Sequence, residues 1–155
     1  MANTYTQIYI QVVFALRARQ CLIAKAFKEE LYKYIAGIIE GENQKLIAIN
    51  GMSDHLHILI GLKPTMALSD LVGEIKASSS NFINNKRWVR GKFSWQEGFG
   101  GFSYSYSQLG AVARYIENQE AHHAKRSFKE EYMELLRKFN VEHDERYVFK
   151  WIEDE

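Results

Sequence analysis

The sequence predicts an α+β fold, a four-stranded antiparallel sheet of βαββαβ order with two further helices after it. Three observations carry this. Apolar and polar residues alternate in "YTQIYIQVVFAL" (5–16), and strand formers fill "SDHLHILIGL" (53–62). Across 27–38 and 67–82 the apolar residues recur at three- and four-residue steps, the period of an amphipathic helix. The segments succeed one another as strand, helix, strand, strand, helix, strand, which is the ferredoxin-like plan.

Taken in order, Ile8, Ile10, Val12, Phe14 and Leu16 share one face of the first strand, and Tyr5, Gln7, Tyr9 and Gln11 the other. Phe27, Leu31, Ile35 and Ile38, with Lys28, Glu29, Glu30 and Lys33 between them, make a first helix to about Glu40. "GEN" turns the chain into a second strand at 44–50, and the short "GMS" connection pairs the third strand with it as a hairpin. Pro64, the only proline, marks the exit from that strand. Leu68, Leu71, Val72, Ile75 and Phe82 trace the second helix, ending near "NNK". "GKFSWQEGFGGFSYSYS" (91–107) fits a strand entered through a tight loop; Gly98, Gly100 and Gly101 lack the GxGxxG spacing of a phosphate loop. A third helix is expected from about Gln108 to His123, with Ser107 as its N-cap. The fourth opens at Ser127, three residues before Glu130 as in a capping box, and sets Phe128, Tyr132, Leu135 and Phe139 on its apolar stripe. These elements read as one domain over 1–155, with a core of about 5–139. The extension 140–155 ends in "ERYVFKWIEDE", an apolar patch among charges that reads as a docking segment.

Composition narrows the class. With 46% hydrophobic and 25% charged residues, the chain is globular rather than disordered. A net charge of +1 leaves nucleic-acid binding to local basic patches. The lone Cys21 excludes an internal disulfide framework and fits a reducing cytoplasm. No apolar run approaches the roughly 18 residues of a membrane span, and "MANTYTQIYI" lacks the layout of a signal peptide. A cytoplasmic protein is expected.

The chemistry concentrates in two places. His55 and His57, two of five histidines, point to one face of the third strand while Leu56, Ile58 and Ile60 point to the other. On the third helix, Tyr115 and Gln119 lie one turn apart, and His122 continues their stripe. Singly, each has a bland explanation as a satisfied core histidine, a half-buried tyrosine or a surface amide. Together they suggest more. Two imidazoles and one oxygen ligand can hold a divalent ion with positions left for phosphate oxygens. A neighbouring tyrosine can then attack phosphorus. A free phenol, with a pKa of about 10, is a weak nucleophile, so the ion's main work is on the phosphate.

"HLH" looks like the His-hydrophobe-His signature of the HUH nucleases. Followed by "WQEGFGGFSYS" and "YIENQEAHH", it resembles the single-tyrosine transposases of the insertion-sequence-200/605 type, from the first strand to about Phe139. The resemblance implies Mg²⁺ or Mn²⁺ on His55, His57 and Gln119, with Tyr115 as nucleophile. It implies single-stranded DNA with hairpin ends as substrate, cleaved to a 5′-phosphotyrosine and a free 3′-hydroxyl, then rejoined by strand transfer. It implies a homodimer in which the tyrosine helix of one chain completes the other's site, with "EAHHAKRS" as hinge. His122 and His123 are expected to assist from outside the ligand set.

The chain departs from its relatives at Gln11, Leu16 and Arg17, where they often carry a histidine and a threonine-lysine pair, and at Phe99, Gly101 and Tyr104. DNA-binding residues are therefore unassigned. The basic groups are Arg17 with Arg19, Lys125 with Arg126, and Lys86, Arg87, Arg90 and Lys92. The last is the phosphate-contact candidate, with Trp88 available for stacking. Two alternatives stay open: a host-adopted single-strand endonuclease, and a non-catalytic RRM-like binding module. The latter calls for aromatics where the third strand has histidines. A zinc hydrolase lacks a cysteine or HExxH partner for these histidines.

Overall fold

The structure is a computed structural model describing residues 3–18 and 21–149. Its elements are β1 (Tyr9–Ala15), α1 (Lys28–Gly41), β2 (Lys45–Met52), β3 (His55–Gly61), α2 (Leu68–Lys86), β4 (Gly100–Tyr104), α3 (Leu109–Glu117), α4 (Gln119–His123) and α5 (Phe128–Lys138). The strands lie in the order β2-β3-β1-β4, every neighbouring pair antiparallel. This is the expected α+β, ferredoxin-like sheet.

One sheet face makes the main core. Ile10, Val12 and Phe14 of β1 oppose Ile60, Ile58 and Leu56 of β3. Leu31, Ile35 and Ile39 of α1 and Leu71, Val72 and Ile75 of α2 are buried in the same cluster. Each such side chain contributes about 1.5–3 kcal/mol by leaving water. The α1 stripe steps by four from Leu31, so Ile39 is buried and the expected Ile38 is only half-buried. Phe93 and Phe14 both meet Trp95 edge-on at 4.8 and 4.9 Å, and its indole N–H donates to Ser79 Oγ at 2.9 Å.

The other face carries Gln11, Val13 and Ala15 of β1 in register with Leu59, His57 and His55 of β3. The C-terminal helices cover this face. Val112 and Ile116 of α3 pack on Ala48 and Leu59. Phe128 of α5 stacks on the His55 ring at 4.1 Å. A β-carbon on Gly100 would stand 2.8 Å from the Tyr132 ring, so glycine there is what lets α5 come down onto the sheet. Gly51 answers a similar need, since a side chain would strike the His55 carbonyl across the hairpin.

Four local expectations change. β2 runs on through Gly51 and Met52, so the hairpin turns at Ser53 and Asp54. Ser107 is not the cap of α3: Ser105 caps a short turn, Tyr106–Gln108, that leads into the helix, and its N–H donates to Gln108 Oε1 at 2.9 Å. The long third helix breaks at Asn118 into α3 and α4; Asn50 of β2 donates to the Glu117 carbonyl at 3.0 Å and ties the end of α3 to the sheet. Trp88 is not presented for base stacking: Phe27 covers one face at 4.8 Å and 6°, and Phe82 meets it edge-on. Ser127 caps α5 as expected, accepting from Glu130 N–H at 3.2 Å. In the tail, Phe149 is buried against Tyr132 and Phe128 of the same chain; Arg19 and residues 150–155 lie outside the described residues.

Candidate metal and nucleophile centre

His55 and His57 are fully buried on β3, and each is gripped from behind by an oxygen. Asp54 Oδ1 lies 2.7 Å from His55 Nδ1, and Gln11 Oε1 lies 2.6 Å from His57 Nδ1. Gln11 Nε2 donates to Tyr104 OH at 2.8 Å, which fixes the amide with its oxygen toward the histidine. Both oxygens accept, so a neutral imidazole at either position carries its proton on Nδ1 and turns Nε2 to the interior. Donation of the far N–H to a carboxylate or carbonyl is the usual arrangement behind a metal-binding imidazole.

The converging nitrogens meet oxygen again. His55 Nε2 is 3.1 Å from Gln119 Oε1, and His57 Nε2 is 2.9 Å from Glu131 Oε1. His123 Nε2 also reaches Glu131 Oε1 at 2.9 Å. The second carboxylate oxygen, Glu131 Oε2, accepts from Gln119 Nε2 at 3.2 Å and from the Tyr115 hydroxyl. Ligand atoms of His55, His57, His123 and Glu131 all lie within 4.8 Å of one another. Nitrogen and hard-oxygen donors, buried and braced from behind, fit a divalent ion.

Electrostatics agree with the geometry. Burial works against the Glu131 anion, yet the His123 and His57 imidazoles set against it hold the carboxyl well below the usual carboxylate range. Burial lowers the His57 imidazole and so favours its neutral form. An ionised carboxylate and a neutral imidazole are the forms that bind metal. Burial, and then the Glu131 carboxylate, push the Tyr115 phenol above its ordinary value.

Tyr115 stands at the wall of an open cleft of about 300 Å³ lined by Gln11, Tyr104, Gln108, Arg126 and Lys138. Arg126 Nη2 donates to the phenol oxygen at 2.9 Å, and the same side chain pairs with Glu134. His122 stacks on the Tyr115 ring at 4.3 Å.

A family profile described as transposase IS200-like matches residues 4–119, from before β1 to the first residue of α4. The chain belongs to the IS200-like transposase family. Two solved structures share its fold. One, described as a transposase from Deinococcus radiodurans R1, is 20% identical, with a TM-score of 0.60 over 77% of this chain and 95% of that one. The other is a REP-associated tyrosine transposase bound to a REP hairpin, 16% identical, with a TM-score of 0.60 over 79% of this chain and 73% of that one. No curated protein is similar enough to add to the comparison.

In this member of the IS200-like transposase family the four candidate residues named from the sequence, His55, His57, Tyr115 and Gln119, come together within one chain. Three further residues join them. His123 stands inside the cluster rather than outside it. Gln11 braces His57. Glu131 is the hub, and its signal was present in the sequence: it sits among Phe128, Tyr132 and Leu135 on the buried stripe of α5. A lone carboxylate on an apolar stripe calls for buried partners.

Proposed function

We propose that this chain is a metal-dependent single-stranded DNA transposase in which Tyr115 is the nucleophile. The observation that carries the reading is the meeting of the Tyr115 hydroxyl with the paired imidazoles of His55 and His57 through one carboxylate. Membership of the IS200-like family and the hairpin bound to a structural neighbour support the substrate class.

His55, His57 and Gln119 would hold the ion, Mg²⁺ or Mn²⁺; once bound, it polarises a phosphate oxygen and stabilises charge in the transition state. The chain's own residues do the rest. Glu131 orients the phenol, and Arg126 stabilises negative charge gathering on its oxygen. The Tyr115 Oη–P bond forms as the bond from phosphorus to the 3′-oxygen breaks. The phenol proton goes to solvent, and the departing oxygen takes one up as a 3′-hydroxyl. The DNA 5′ end stays on Tyr115, and attack by another 3′-hydroxyl reverses the exchange and completes strand transfer. The family resemblance implies a homodimer; because one chain supplies imidazoles and phenol together, the second copy would serve DNA binding rather than completion of the site.

A hairpin-bearing single-stranded oligonucleotide incubated with Mn²⁺ tests this. The expected product is a protein–DNA species that survives denaturation and is lost with EDTA. Binding without any such species leaves only the RRM-like module. A host-adopted endonuclease would cleave yet fail to join a second 3′-hydroxyl end.

A further inference from the structure

One carboxylate oxygen in this centre faces three imidazole nitrogens. Glu131 Oε1 stands 2.9 Å from His57 Nε2, 2.9 Å from His123 Nε2 and 3.6 Å from His55 Nε2. His55, His57 and Glu131 are buried, and His123 is half-buried with 8% of its side chain exposed. Nδ1 of His55 and of His57 already faces an oxygen acceptor, so each ring would turn a lone pair toward Glu131. Lone pairs crowded in a dry space repel unless a proton or a metal ion sits among them, and a metal ion serves all of them at once.

We propose that Glu131 Oε1 and His123 Nε2 are further metal ligands beside His55, His57 and Gln119, so that three imidazoles and one carboxylate hold the ion together with the Gln119 amide oxygen. This rests on the metal-dependent reading above. The spacing supports it: donors about 2.1 Å from a common ion lie about 3.0 Å apart at neighbouring octahedral positions and about 3.4 Å apart in a tetrahedron. The 2.9, 2.9 and 3.6 Å from Oε1 are spacings of that kind, and the four ligand atoms, all within 4.8 Å of one another, need to close only to about 4.2 Å at opposite positions. Gln119 contributes an amide whose Nε2 donates to Glu131 Oε2 and whose oxygen reaches His55 alone among the three histidines.

Two consequences follow from the donor set. Three imidazoles favour Mn²⁺ or another transition ion over Mg²⁺, which prefers oxygen ligands and water. Glu131 also spans the site: Oε1 faces the ion position while Oε2 receives the Tyr115 hydroxyl. One rigid carboxylate thus sets how far the nucleophile stands from the ion, and α5 is tied to the metal centre.

The test titrates the full chain with MnCl₂, following the electron paramagnetic resonance of free Mn²⁺. Wild type is expected to bind one ion that Mg²⁺ displaces poorly. Glu131→Gln and His123→Ala should each bind at least about tenfold more weakly. Should a variant fail to fold by circular dichroism, the Mn²⁺-loaded wild type still decides, since spin-echo and X-ray absorption spectra count its imidazoles. Three imidazoles support the proposal. Two imidazoles, or unchanged affinity in a folded Glu131→Gln, overturn it while leaving the metal-dependent reading intact. Wild type that binds no Mn²⁺ overturns both.

Discussion

The rings of Tyr115 and His57 stand 6.2 Å apart with their planes crossed at 78°, although they come from a helix and a strand 58 residues apart in sequence. Glu131 joins them, one oxygen on each side. Tyr115→Phe keeps the ring and its stack on His122 and removes only the hydroxyl. Covalent DNA adducts are expected to vanish on denaturing gels, while oligonucleotide binding stays close to wild type. Two hydrogen bonds to charged groups are lost, to Glu131 and from Arg126, at about 1.5–3 kcal/mol each, read as a lower melting temperature. Adducts persisting in this variant would assign the chemistry to another tyrosine.

Gln11 fixes which nitrogen of His57 faces the interior. Gln11→Leu removes that acceptor without touching the ion's own ligands, and Mn²⁺ affinity by calorimetry should fall about 10–100-fold. Removal of the imidazole itself, in His57→Ala, should abolish cleavage and its divalent-metal dependence together. An affinity unmoved by Gln11→Leu would mean that the imidazole needs no brace.

Gly100 sets the approach of α5. In Gly100→Ala the new methyl meets Tyr132 at 2.8 Å and Phe102 at 3.0 Å, both buried rings. Overpacking of this kind costs about 1–3 kcal/mol, read from the urea midpoint. Part of that loss should return in the double variant with Tyr132→Phe, since the Tyr132 hydroxyl is among the atoms struck. A Gly100→Ala protein as stable as wild type would show that α5 sits more loosely than this packing requires.

Lys76 makes stability depend on alkaline pH. Its amine donates to the carbonyls of Gln96, at 2.9 Å, and Gly98, and burial brings it from 10.5 down to about 8. Between these two values the unfolded chain holds the proton that the folded chain has released. Folding stability therefore gains from this residue as pH rises through that window. Denaturation of wild type and Lys76→Met should show their difference shifting in favour of wild type from about pH 8 to about pH 10.5. A flat difference would show that Lys76 titrates normally.

Much of this arrangement could be read from the chain. Strand alternation fixed which face His55 and His57 share, and helical spacing placed Gln119 one turn beyond Tyr115. The break at Asn118 escaped because Asn50, 68 residues earlier, binds the end of α3, and helical periodicity carries no trace of such a partner. Ser107 is suited to a cap by residue type, but a turn precedes α3 and Gln108 returns to the backbone of Ser105 instead. Trp88 looked free because its cover, Phe27, belongs to a separate segment. Glu131 escaped for a related reason. Two adjacent glutamates open α5; the spacing from Phe128 and Leu135 puts Glu131 on the apolar stripe, but its partners on β3 appear only in the fold. Local pattern reaches the elements, while the hub of the site forms only when four of them meet.

The account is tested most directly by finding which atom carries the DNA. Wild-type protein allowed to react with a single-stranded oligonucleotide and Mn²⁺, digested and analysed by mass spectrometry, should yield one nucleotide-bearing peptide, modified at Tyr115. Modification at a different residue, or no covalent product in a protein that binds both DNA and Mn²⁺, would contradict it.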